Sequence, residues 1–185
     1  MLSIKIFFLE KPLAVIGIFI FVIFVLIALF GPAFVKDPFS TNTSESLLPP
    51  SINHLMGTDK YGRDIFARSI HSARLDIILG LVISLLSLCI GSILGVIAGY
   101  MGGIIDELIM RLNDIILAFP GFVLALILVS VLGNNILNVV IAVTIAFVPY
   151  FIRLTRAETL VEKEKEYVDA AFLVGNNKWR IALLH

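Results

Sequence analysis

One cysteine, Cys89, stands among the 185 residues, and it sits inside an apolar run. No disulfide framework can form within the chain, and cysteine usage points to no redox compartment. Charge is also scarce. Asp, Glu, Lys and Arg make up 15% of the residues, they come in groups, and 14 cations balance 14 anions. A neutral chain gives no electrostatic argument for nucleic acid or for an acidic partner. The phosphate-cradling pattern G-x-x-x-x-G-K-[ST] does not occur, so the chain carries no ATP-hydrolysing motif of its own. No nucleophile stands beside a plausible base, which leaves an intramembrane hydrolase without support. No sequence unit recurs along the chain, which excludes a solenoid.

Apolar residues, in contrast, are abundant. They make up 59% of the chain at a mean hydropathy of +1.02, against roughly 45–50% in a soluble domain. Four runs approach the roughly 20 apolar residues needed per bilayer crossing: residues 13–31, 77–98, 115–132 and 136–152. The expectation is an all-α polytopic membrane protein with four transmembrane helices. At 1.5 Å per residue the first run reaches about 28 Å, close to the hydrocarbon thickness. It exceeds the core of a signal peptide, and Gly31-Pro32 followed by Phe34 and Val35 is a poor cleavage site.

No charged residue lies inside any of the four runs. Ion-coupled carriers keep carboxylates, histidines or arginines there because those groups run the coupling chemistry, so this pattern weighs against a carrier of that kind. The polar residues within the runs, Ser84, Ser87, Ser92, Ser130, Asn138 and Thr144, read as helix-packing groups. Ser87, Gly91, Gly95 and Gly99 recur at steps of four and form a ridge of small residues along which another helix can approach closely. Pro120 is expected to kink the third span, and Pro149 falls in the fourth.

Basic residues beside the spans set the orientation. With the N-terminus inside, Lys5, Lys11, Arg111, Arg153, Arg156, Lys163, Lys165, Lys178 and Arg180 lie on the inner face. Lys36, Lys60, Arg63, Arg68 and Arg74 lie on the outer face. The balance favours a cytoplasmic N-terminus.

The chain divides into an N-terminal segment, 1–76, with the first span and an outer loop, and a membrane segment, 77–185. The first half of the loop, with turn formers and Pro49-Pro50, is expected to run extended. The second half places Ile65, Phe66, Ile70, Ala73 and Ile77 largely on one helical face, either as an interfacial helix or as an extension of the second span. His54, Asp59, Asp64 and His71 share this loop but lack a recognised metal-ligand spacing, so a solvated loop with capping carboxylates is the better reading. Asn42-Thr43-Ser44 matches a glycosylation sequon, a signal with weight only in a secretory context.

Beyond residue 152 the pattern changes. From 157 to 174, Leu160, Val161, Tyr167, Val168, Ala171 and Phe172 gather on one helical stripe, and charged residues occupy the rest. Gly175 stands where a helix C-cap belongs, and Asn176 or Asn177 can cap a second short helix with Trp179, Ile181 and Leu183. Composition alone leaves open whether this amphipathic segment meets a protein or lies on lipid.

Asp169, Ala170, Ala171 and Gly175 form the pattern D-A-A-x-x-x-G, which resembles the EAA loop of binding-protein-dependent ABC importer permeases. EKPLAVIG (10–17), LLPPSINHLMGTDKYGRDIFAR (47–68), GVIAGYMGGIIDELIMRLNDIILAFPGF (95–122) and RLTRAETLVEKEKEYVDAAFLVG (153–175) resemble, in order, the DppC/OppC-type permease subunit of the dipeptide, oligopeptide and nickel importers. The resemblance implies a six-span permease fold with the EAA loop between spans four and five, so four spans and part of that loop are expected here. Asp169 stands where the family motif has Glu, one methylene shorter. The resemblance further implies a prokaryotic cell membrane and a second, DppB/OppB-like permease subunit. Two ATP-binding subunits holding ATP and Mg, and an extracytoplasmic substrate-binding protein, complete the implied assembly. Asp169, Ala170, Ala171 and Gly175 would then contact the ATPase, this chain holding no cofactor itself.

Overall fold

The computed structural model describes residues 12–175, and the described residues are helical with connecting turns. The described residues form six α-helices in order: α1 (Pro12–Phe30), α2 (Ile65–Met101), α3 (Gly103–Leu117), α4 (Gly121–Leu132), α5 (Ile136–Glu162) and α6 (Glu166–Leu173). The chain divides after Gly80 into two compact units.

The described part of the first unit begins with α1, whose 19 residues carry no charge. Ile16, Phe19, Phe21, Phe24 and Leu29 are exposed along it, as suits a helix whose solvent is lipid. A short 3-10 turn, Gly31–Phe34, ends it. A Cβ on Gly31 would stand 2.6 Å from Cγ2 of Ile70, so the glycine permits a close approach to the start of α2.

The loop between α1 and α2 is more ordered than its turn-rich composition suggests. Its first half, expected to run extended, instead carries turns and the 3-10 turn Thr43–Glu45 and is stitched to the GTDKYGRD turn. Asn42 N–H donates to the Tyr61 carbonyl at 3.2 Å, Leu47 N–H to Asp59 at 3.2 Å, and Thr58 N–H to Leu48 at 3.1 Å. The Thr58 hydroxyl accepts from Leu48 N–H at 2.9 Å and donates to the Glu45 carbonyl. Gly62 (φ +71°) passes so close to the Asn42 backbone that any side chain there would collide with it. The Asn42 side chain accepts from the N–H and hydroxyl of Ser44, making it a local cap for the Thr43–Glu45 turn.

Residues 65–77 form no separate interfacial helix. They are the first turns of α2, a continuous helix of 37 residues, about 55 Å long and well beyond a 30 Å hydrocarbon layer. Of the two readings of this stretch, extension of the span is the one observed.

In the second unit, the expected third span, 115–132, is not one helix. Residues 115–117 finish α3, which starts as far back as Gly103, and α4 begins at Gly121 at an angle of 87° to α3. Pro120 stands at the N-cap of α4, so it separates two helices instead of kinking one. At 12 residues, α4 measures about 18 Å and does not cross a bilayer alone. Among the described residues three helices are long and apolar enough to cross, or four crossings if α3 and α4 together make one broken span.

The turn into α5 is built from side chains. Asn135 accepts from the Asn138 N–H at 2.9 Å as an N-cap, and the Asn138 amide donates to the Leu132 and Gly133 carbonyls at the end of α4. Asn138 is thus an end-cap for a neighbouring helix. α4 packs along α5, and α3 also touches it. α5 runs ten residues past the apolar stretch, to Glu162.

Candidate functional site

The row of small residues on α2 is a packing surface for α5. A Cβ on Gly91 would meet the Val148 carbonyl at 3.0 Å, and one on Gly95 would lie 2.8 Å from both the Ile152 carbonyl and Thr155 Cβ. One on Gly99 would lie 2.8 Å from Thr159 Cβ. Ser87 continues the row. It is fully buried and its hydroxyl points at the Thr144 carbonyl at 3.5 Å. The four-residue step on α2 is answered by a similar step on α5, which brings the two backbones close.

Beyond the apolar part of α5, charged groups replace this contact. Asp106, in the first turn of α3, receives Arg156 in a two-pronged pair, Nε to Oδ1 at 2.5 Å and Nη2 to Oδ2 at 2.6 Å. Both side chains are largely covered, 29% and 18% exposed for Arg156 and Asp106 respectively. Arg153 reaches Asp114 with a single 2.7 Å contact, both side chains more than half exposed. Geometry ranks the two. A bidentate, half-dry pair is the strong form of this interaction, whereas an exposed single contact contributes about 0–1 kcal/mol. Lys163 adds a third tie by donating to the Gly99 carbonyl at 3.0 Å. That carbonyl lies in the last turn of α2, where helix carbonyls lack partners in their own helix and attract cations.

The helix expected over 157–174 is broken. α5 ends at Glu162, residues 163–165 turn, and α6 begins at Glu166. The break explains itself chemically. Glu162 takes the Lys165 ammonium at 2.5 Å and the Tyr167 hydroxyl at 2.8 Å, so its carboxylate folds the elbow back on itself. The Glu162 contact raises the Lys165 pKa above its ordinary value, holding the ammonium charged.

Asp169, Ala170 and Ala171 fall on α6, and Gly175 follows two residues after its end. The side chains of Asp169, Ala170 and Ala171 lie outside the described residues, as does the second short helix expected after Asn176. Gly175 has φ +90°, the left-handed conformation that a glycine past a helix C-terminus supplies. Leu173 and Val174, at the end of α6, are 85% and 84% exposed.

In the first unit His54 and Asp64 come together, with Nδ1 to Oδ2 at 3.0 Å, and Glu45 stands 3.7 Å from Nε2. Asp59 instead accepts from the N–H groups of Tyr61 and Arg63 and from the Arg63 side chain, and His71 falls within α2. Burial pushes the Asp59 pKa upward, but the Arg63 and Tyr61 N–H bonds outweigh it and hold it below the usual carboxylate range. The two carboxylates of the GTD-x-x-GRD block are therefore turn-makers. Among the described residues no group of three or more His, Cys, Asp or Glu is placed to hold a metal ion. Lys36, Asp37, Asn42, Glu45, His54 and Asp64 line an open cleft of about 370 Å³.

Sequence reasoning placed the small-residue row but missed Asp106, Arg156 and Lys163 as partners across the fold. Their spacing, 50 and 64 residues from the groups they touch, leaves no local signal.

Residues 91–185 match the family described as the binding-protein-dependent transport system inner membrane component, and residues 6–50 match the N-terminal transmembrane domain of oligopeptide transport permease C. The chain is 42% identical over 177 residues to the dipeptide transport system permease protein DppC of Alkalihalophilus pseudofirmus, covering 95% of this chain and 58% of that protein. It is 37% identical over 179 residues to the oligopeptide transport system permease protein OppC of Bacillus subtilis, covering 96% and 59%. The glutathione transport system permease protein GsiD of Pectobacterium atrosepticum is 42% identical over 136 residues, covering 74% and 45%. The chain thus spans less than two thirds of the length of these relatives. The family match runs over half the chain, and the chain therefore belongs to the binding-protein-dependent transport system inner membrane components, with similarity to DppC- and OppC-type permeases along the aligned residues.

Proposed function

We propose that this chain works as one permease subunit of an ATP-driven importer and takes its energy through α6. The observation that carries the reading is the elbow after α5. A helix ties itself by charge and close packing to α2 and α3, turns at 163–165, and ends in a short helix with exposed apolar residues and a left-handed Gly175. An exposed apolar helix end beside charged groups suits a protein partner. Asp169 would offer a carboxylate to an arginine of an ATP-binding subunit, and Ala170 and Ala171 would allow close approach.

The assembly we infer contains a second permease subunit, two ATP-binding subunits that hold ATP and Mg, and an extracytoplasmic binding protein. ATP binding would draw the motor subunits together, moving the elbows and rocking the spans between inward- and outward-open forms. The basic residues at the end of α5 and around the elbow favour a cytoplasmic α6, and with it a cytoplasmic N-terminus. The similar permeases are named for the transport of dipeptides, oligopeptides and glutathione, so peptides are the favoured cargo, with a chelated metal such as nickel as the alternate.

The test is uptake into vesicles bearing the assembled transporter. Labelled dipeptide entering only with ATP and the binding protein supports the reading, and nickel entering under the same conditions would change the cargo alone. Flux without ATP would favour an autonomous channel or ion-coupled carrier and overturn the reading.

A further inference from the structure

We propose that Asp106, Arg156 and Lys163 are positioning residues that join the elbow to the corner between α2 and α3, so that displacement of α6 moves that corner. The inference rests on the reading of α6 as the coupling site and names the residues that carry its motion into the membrane part.

Three observations converge on the corner. Gly102 and Gly103, with φ +66° and +55°, turn the chain sharply between α2 and α3. α5 grips both arms of this turn. Arg156 holds Asp106 in the first turn of α3 by two contacts of 2.5 and 2.6 Å, and Lys163 holds the Gly99 carbonyl in the last turn of α2 at 3.0 Å. Between these charged ties Thr159 packs against Gly99, where even a Cβ would lie 2.8 Å from the threonine. The other end of the connection is as direct. Glu162 lies one residue before Lys163, and its carboxylate holds Lys165 and the Tyr167 hydroxyl of α6. The path from α6 to the corner therefore runs from Tyr167 to Glu162 by a hydrogen bond, and from Glu162 along the backbone at the end of α5 to Lys163 and Arg156, which hold the two arms.

The chemistry fits transmission better than mere stability. A planar guanidinium on a carboxylate fixes direction as well as distance, because both prongs break if either helix rotates. The ammonium of Lys163 meets a helix end by its charge, a tie that tolerates small rotations. One rigid and one compliant attachment would let the end of α5 pull on α3 while sliding slightly on α2.

Uptake and ATP hydrolysis measured together in the assembled, reconstituted transporter test this, with Leu173→Cys crosslinking to an ATP-binding subunit as a parallel readout. Asp106→Asn and Arg156→Lys are expected to keep the crosslink and the hydrolysis while uptake per ATP falls about fivefold or more. The exchanged pair Asp106→Arg with Arg156→Asp should recover a large part of it. Should Asp106→Asn not assemble, Arg156→Lys, which keeps the charge but not the fork, decides the matter. Unchanged uptake per ATP in the variants, or uptake and hydrolysis lost in equal proportion, overturns the proposal. An assembly that carries Leu173→Cys as its one change near the elbow and gives no crosslink overturns the coupling role of α6, and the proposal falls with it.

Discussion

One carboxylate closes the outer loop and starts the longest helix. Asp64 Oδ2 lies 3.0 Å from Nδ1 of His54, while its Oδ1 accepts the Ala67 N–H at 2.9 Å as the N-cap of α2. The side chain is only 10% exposed. Burial alone would raise its pKa, yet the Ala67 N–H and the His54 ring together bring it below the ordinary carboxylate value. A depressed carboxylate pKa stabilises the fold above the unfolded value of about 3.9, and that contribution is lost as pH falls through the lower folded value. Asp64→Ala should cost about 1 kcal/mol from the cap alone. Limited proteolysis of the loop at several pH values checks this. The difference between wild type and variant should hold steady between about pH 5 and 8 and shrink below about pH 4.

The glycine row separates two kinds of site on one helix. Gly95→Ala would press a methyl against the Ile152 carbonyl and Thr155, with an expected loss of about 1–3 kcal/mol. Gly80, also on α2, has nothing within 4 Å of its Cβ position. Gly80→Ala should be neutral or gain about 0.5–1 kcal/mol from helix propensity. Thermal unfolding in detergent distinguishes them, and equal effects would refute the close α2–α5 contact.

Asn113 is 1% exposed, and among the described residues neither its amide nitrogen nor its oxygen has a hydrogen-bond partner. A buried unpaired polar group costs about 1–3 kcal/mol. Asn113→Leu, close in shape, should therefore leave the melting temperature unchanged or raise it. A pronounced fall would mean that the amide is paired in the working protein.

Gly175 takes a φ of +90° that proline, held near −65°, does not reach. In the assembled transporter, Gly175→Pro and Asp169→Lys should leave the chain in the membrane but separate ATP hydrolysis from uptake. Parallel assays of both activities read this directly, and unchanged uptake in both variants would count heavily against a coupling role.

The hydrophobic runs made the membrane helices legible. The run at 13–31 lies within one residue of α1 at each end, and the small-residue row identified the face of α2 that meets α5. Run length was less informative where charge resumed. α5 continues for ten residues beyond Ile152 because Arg153 and Arg156 find partners on α3, a fact no local pattern carries. The amphipathic stripe over 157–174 likewise concealed the turn at 163–165, since the Glu162 contacts that fold it depend on three-dimensional reach. Pro120 signalled a disturbance, but its 87° extent reflects the packing of α4 along α5. The outer loop read as extended because cross-segment pairs such as Asn42 with Tyr61 leave no periodicity.

The most direct measurement is site-specific crosslinking at the exposed end of α6. With Cys89, itself exposed, replaced by serine, cysteines are placed at Leu173 or Val174 in the assembled transporter. Capture of an ATP-hydrolysing subunit, with a yield that changes on adding ATP, is the predicted result. Capture of lipid alone, or no captured ATP-hydrolysing protein at either position, would contradict the claim that motor work enters through this elbow.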